Sequence, residues 1–89
     1  MTLRDYFSGL IQRVEESAEI HNGGTDQNGF YKPTKTIVLK HLHLLRDLHD
    51  KPRAQAMVKS AWNEVVAELP PEWLVLPAEL KEQMRLILK

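Results

Sequence analysis

KTIVLKHLHLLRDLHD, residues 35–50, carries the fold of this chain in its spacing. Setting successive residues about 100° apart, as in an α-helix, gathers Ile37, Val38, Leu42, Leu44, Leu45 and Leu48 on one broad arc. Lys40, His43, Asp47 and Asp50 fall opposite. An arc this wide exceeds what one neighbour covers, so the stretch predicts a central helix touching two others. The helix is expected to start near Lys35 or Thr36, after Pro33-Thr34, and to run to about Asp50.

Working outward, the same periodicity recurs on both sides. Upstream, Leu3, Tyr6, Phe7, Leu10, Ile11, Val14 and Ala18 repeat at the three–four spacing of one helical face. Thr2 followed by Asp5 reads as a capping box at the start of this helix, and Asn22-Gly23-Gly24 is expected to stop it. Downstream, Pro52 suits a first helical turn, where its missing N–H costs nothing. Ala54, Val58, Ala61, Trp62, Val65, Val66 and Leu69 then share a face, and Pro70-Pro71 closes that helix. Glu72 to Leu76 forms a short apolar strap, either a 3₁₀ turn or extended chain. Pro77 can open a last, shorter helix with Leu80, Met84, Ile87 and Leu88 inward. Alternation of period two persists nowhere beyond four residues. The expectation is an all-α bundle, residues 1–89 as a single helical domain, with three long helices, a shorter C-terminal fourth and a long loop between helices one and two. The short link between helices two and three favours antiparallel neighbours.

Composition narrows the chemistry. With 43% hydrophobic and 27% charged residues, the chain sits near the average of soluble globular domains. Cysteine is absent, which excludes disulfides, thiolate catalysis and Cys-ligated metals. Arg4 and Asp5 stand where a signal sequence needs an apolar core, and no apolar run approaches ~18 residues. Neither export nor a membrane partner is expected, and a cytoplasmic location is. Charge is uneven despite a net value of zero: residues 1–31 balance to −3, residues 32–59 to +5 and residues 60–89 to −2.

The loop NGGTDQNGFYKP, residues 22–33, admits three readings. If Gly29 is the sixth residue of a calcium loop, Asp26 and Asn28 occupy positions three and five, but Gly24 is first and Lys35 twelfth, where a bidentate Glu is required. The loop is not an EF-hand. Asn28-Gly29 is a tight-turn signal. Phe30 and Tyr31 leave two options: one ring plugs the open end of the bundle, or a ring and Lys32 are offered to a partner.

Catalytic constellations are weak. His41 lies amid the apolar arc of helix two and His21 on the stripe of helix one, where each reads as a neutral core residue, a pH-sensitive packing element or, least well, half of a metal site. The spacings of His41, His43 and His49 point to different faces. Ser8 and Ser60 occupy polar faces, and no Gly-rich phosphate loop exists. An enzyme is not expected, and neither is a cofactor or a metal. The apolar misfits are more informative: Ile20, Leu39 and Leu86 lie off their stripes. Together with Phe30, Tyr31 and Lys32 they are candidates for binding a protein partner or a second copy. The competing reading is nucleic-acid binding through the basic middle, by Lys32, Lys35, Lys40, Arg46, Lys51, Arg53 and Lys59.

Overall fold

The computed structural model describes residues 1–25 and 28–89, the Lys32 side chain excepted. Helix α1 spans Leu3–Glu16, α2 Thr34–Leu48, α3 Gln55–Glu68 and α4 Ala78–Ile87. They contain 14, 15, 14 and 10 residues. The fold is all-α, as the periodicities require. A 3₁₀ turn at Pro52–Ala54 leads into α3, and a second, at Pro71–Leu74, forms the strap before α4.

Each start and stop has a local cause. The Thr2 N–H donates to Asp5 Oδ2 at 3.2 Å while the Asp5 N–H donates to Thr2 Oγ1 at 3.1 Å, completing the capping box. Helix α1 then ends at Glu16, well short of the Asn-Gly-Gly stop expected at residues 22–24. Ser17 is the reason. Its backbone is extended (φ −81°, ψ 138°), and its hydroxyl accepts the Glu19 amide at 3.0 Å and the Ile20 amide at 3.4 Å. A serine that satisfies backbone amides outside the helix competes with it.

That early turn frees Asn22 for a different task. Pro33, at the N-cap of α2, offers no side-chain acceptor. Asn22 Oδ1 accepts the Thr36 amide at 3.1 Å, and its Nδ2 donates to Thr36 Oγ1 at 2.9 Å. An amide from 14 residues upstream therefore caps the start of α2. In return Lys35 Nζ donates to the Glu15 carbonyl at 2.8 Å, satisfying an orphan acceptor at the end of α1. Removing a capping side chain costs ~0.5–2 kcal/mol; since this bond is exposed, Asn22→Ala is expected at the lower end. Asn22→Asp, which keeps an acceptor and adds charge at a helix N-terminus, should lose less. Urea titration of both variants checks the order.

Between these anchors, Gly24–Thr25 (β1) pairs antiparallel with Tyr31–Lys32 (β2), in the register Gly24↔Lys32 and Thr25↔Tyr31. Strands of two residues are too short to show an alternation, so only the Asn28-Gly29 turn between them was legible. Asn28-Gly29 turns as expected, Gly29 taking φ +83°, a conformation few other residues tolerate.

Helix α2 packs against both α1 and α3, and α3 also against α4. The central position inferred from its wide arc is the one it occupies. Phe7 sits at the junction: its ring lies 5.8 Å from His49 of the α2 C-cap and 6.3 Å from Trp62 of α3. Because Phe7 meets the end of α2 while Glu15 meets its start, α1 and α2 run antiparallel. Gln55 Nε2 donates to the Ile87 carbonyl at 2.8 Å, tying the start of α3 to the end of α4. Phe7, Leu42, Leu45 and Leu80 are the largest fully buried side chains. Trp73 of the strap is also buried, beneath the Arg13 guanidinium 4.2 Å from its ring.

The charged surface sets the acid response. Hydrogen bonds from the Thr2 backbone, then from its hydroxyl, hold Asp5 below its ordinary 3.8. Arg46 does the same for Asp47 and Arg85 for Glu82, each through a side-chain hydrogen bond. Carboxylates with depressed folded values contribute stability that is complete above their unfolded values and disappears as pH falls through the folded ones. The melting temperature should therefore be insensitive to these groups above about pH 5 and fall below it. Asp5→Asn should shallow that fall in a melting series from pH 6 to pH 2. A melting temperature that rose on acidification would contradict the assignment.

Candidate functional site

Both rings of the loop are outside. Phe30 is 69% and Tyr31 63% exposed, so neither plugs the end of the bundle. The residues that flank the hairpin are anchored: Asn22 before it bonds Thr36 of α2, and Lys35 after it bonds the Glu15 carbonyl of α1. Lys32, the third candidate here, lies in β2, its side chain outside the described residues. Asp26 of the rejected calcium loop is outside them too.

The three apolar misfits do not share a surface. Ile20 is only 7% exposed and belongs to the core, which corrects its assignment to a partner face. Ile20 lies past the end of the helix, which stops before Ser17, and the turn at Ser17 swings the side chain inward. Leu39 is half-buried and packs against the core. Leu86 alone projects, 53% exposed, while its neighbours Ile87 and Leu88 are partly buried.

Leu86 opens on a feature that no spacing announces. With Leu3, Pro52, Gln55, Gln83 and Ile87 it lines an open groove of about 480 Å³, bordered by His49, Asp50 and Lys51. A second hollow of about 640 Å³ adjoins it, shares Lys51 and Pro52, and reaches Leu48, Arg53, Ala54 and Met57. Met57 is 54% exposed on the outer face of α3. An apolar residue on a polar face was the only sequence signal for this surface. The groove itself joins Leu3 to Leu86, a contact beyond any local periodicity.

The basic candidates are largely engaged and dispersed. Lys35 is held by the Glu15 carbonyl, Arg46 Nε lies 3.0 Å from Asp47 Oδ1, and Lys51 Nζ lies 4.0 Å from Asp50 Oδ1. Lys40, Arg53 and Lys59 are exposed. Lys35 sits at the start of α2 and Lys51 just past its end, so the row does not converge on one patch.

The imidazoles separate as well. His21 is exposed, beyond the end of α1 rather than on its stripe. His41 is half-buried, with Nδ1 enclosed and without a hydrogen-bond partner among the described residues; the same holds for the Tyr6 hydroxyl, and burial raises its pKa. His49 Nδ1 lies 3.1 Å from the carbonyl oxygens of both Leu45 and Arg46, placed to donate at the last turn of α2. Among the described residues no three His, Asp or Glu side chains come together as a metal site. No helix among them is long and apolar enough to cross a membrane. No family model, no curated protein and no solved structure matches the chain.

Proposed function

We propose that this chain is a non-catalytic interaction module that binds a protein through the Phe30–Tyr31 hairpin. The observation that carries the reading is two adjacent aromatic side chains, both more than half exposed, on a hairpin whose flanking residues Asn22 and Lys35 bond to α2 and α1. Leaving a Phe in water forgoes ~1.5–3 kcal/mol of burial. Aromatic residues are enriched where proteins meet, and tyrosine is among the residues that dominate binding energy. A tethered hairpin also loses less freedom on binding than a floppy loop would.

The test compares capture by the wild-type chain with capture by a Phe30→Ser/Tyr31→Ser variant. Both substitutions replace exposed rings, so the melting temperature should stay within a few degrees of wild type. A partner retained by the wild type should be lost by the variant, with affinity falling at least ~30-fold, the effect of removing a dominant contact of ~2 kcal/mol. Equal retention by the two proteins would remove the hairpin from the interaction.

A further inference from the structure

We propose that Asn28 is a self-modification site, whose side-chain amide converts to a carboxylate through a cyclic imide formed with Gly29. The fold protects the other Asn-Gly pair of the same loop, Asn22-Gly23, from the same reaction. The inference goes beyond the interaction reading above and does not depend on it.

The chain holds three asparagines, and two of them, Asn22 and Asn28, precede glycine. The reaction needs only such a pair and water. The glycine backbone nitrogen attacks Cγ of the asparagine before it; the new N–C bond forms as the Cγ–Nδ2 bond breaks. The amide leaves as ammonia, carrying the proton released by the attacking nitrogen. Water then opens the imide at one carbonyl or the other. One product is aspartate, and the other is the isoaspartyl isomer, whose main chain runs through Cβ and Cγ. Glycine favours the closure because no Cβ shields its nitrogen. Nothing lies within 4 Å of the place a Cβ would take on Gly23 or on Gly29, and both asparagines are exposed. By residue type and local space, the two pairs are alike.

They differ in what must break before the ring can close. Asn22 spends both ends of its carboxamide on Thr36: Oδ1 accepts the backbone N–H at 3.1 Å, and Nδ2 donates to Oγ1 at 2.9 Å. Turning its Cγ toward the Gly23 nitrogen breaks both bonds and uncaps α2. Asn28 is engaged too, but in the turn of a hairpin whose strands are two residues each. So short a two-stranded ribbon is marginal by itself, and its Phe30 and Tyr31 rings are mostly exposed. Opening its tip releases the contacts of Asn28 while the helices stay closed. Either product adds a negative charge to a chain whose net charge is zero. The isomer also lengthens the main chain within the turn, which the pairing of Thr25 with Tyr31 must absorb.

The experiment is prolonged incubation of the pure chain at pH 8 and 37 °C, in buffer and in guanidinium chloride. Mass spectrometry of its peptides, with fragmentation to place the change, gives a rate for each asparagine. Asn63, inside α3 and followed by Glu64, is the slow internal standard. In buffer Asn28 should convert ~5-fold or more faster than Asn22, the protection that two ordinary hydrogen bonds give. In denaturant the two rates should converge, because only the shared Asn-Gly pair remains. Thr36→Val keeps the branched shape but removes the acceptor of Asn22 Nδ2. It should speed Asn22 in buffer ~2-fold or more and leave Asn28 unchanged. Should the valine variant fail to fold, Thr36→Ser, which keeps the hydroxyl, should hold Asn22 at its wild-type rate while Thr36→Ala releases it. Four results would each overturn the proposal: no conversion of Asn28 in the folded chain, equal rates there for both asparagines, an undiminished gap in denaturant, or an Asn22 rate indifferent to loss of the Thr36 hydroxyl.

Discussion

Phe7→Ala is expected to produce the largest loss of stability of any variant considered, ~3–5 kcal/mol by urea titration. Phe7 is fully buried where three helices meet, with the rings of Tyr6, His49 and Trp62 between 5.7 and 6.3 Å away. Truncation removes the transfer energy of the ring and leaves a space that helices from three directions cannot all move in to fill. A chain of 89 residues typically holds only ~4–13 kcal/mol in total. A substantial part of that should disappear, and the melting temperature should fall by roughly 12–40 °C. Phe7→Leu, which keeps most of the volume, should cost less than half as much. If Ala and Leu proved equivalent, the junction would not be packed as described.

Trp73→Ala should follow closely, at ~3 kcal/mol or more. This residue belongs to a 3₁₀ turn of four residues, too short to be stable by itself, and is held by what it docks against. Its ring is buried and capped by Arg13 from α1, so the turn fastens the α3–α4 connection to the first helix. A cation over an aromatic face contributes ~0.5–1 kcal/mol near a surface, which sets the expected cost of Arg13→Ala in the wild-type background. In the Trp73→Ala background that cost should fall toward zero, since the partner is gone. An Arg13→Ala effect of equal size in both backgrounds would mean that the two side chains do not act together.

Most of the architecture was readable wherever a local rule acts alone. The arc of residues 37–48 led to a central α2 because a helical period reports which side chains face inward whatever the neighbours are. Thr2 with Asp5 marked a start, and Pro52 and Pro70-Pro71 marked boundaries, because capping and the missing proline N–H are effects of adjacent residues. Misreadings began where two local rules competed. Ser17 and Asn22-Gly23-Gly24 both favour ending a helix, and the serine acts first along the chain. Everything downstream shifted: Ile20 moved into the core, His21 left the stripe, and Asn22 became the cap of the next helix instead of the stop of the previous one.

The candidate site was legible in part. Phe30, Tyr31 and Leu86 were singled out as apolar residues in unexpected places, and all three are exposed. Their distribution over two ends of the molecule was not legible, nor was the groove that Leu86 shares with Leu3 and Pro52.

By itself, the order of residues determined the four helices, most of their inward faces and the central place of α2, since each follows from propensity and periodicity within a dozen or so neighbours; Val66 and Ala18, assigned to inward faces by the same periodicity, are exposed. The tertiary structure alone decided that Ile20 is inside and Phe30 outside, that Asn22 serves a helix 14 residues away, and that residues 3, 52 and 86 line one hollow. Burial at those positions depends on which distant segment arrives to cover them, and that is settled by the packing of the whole bundle at once.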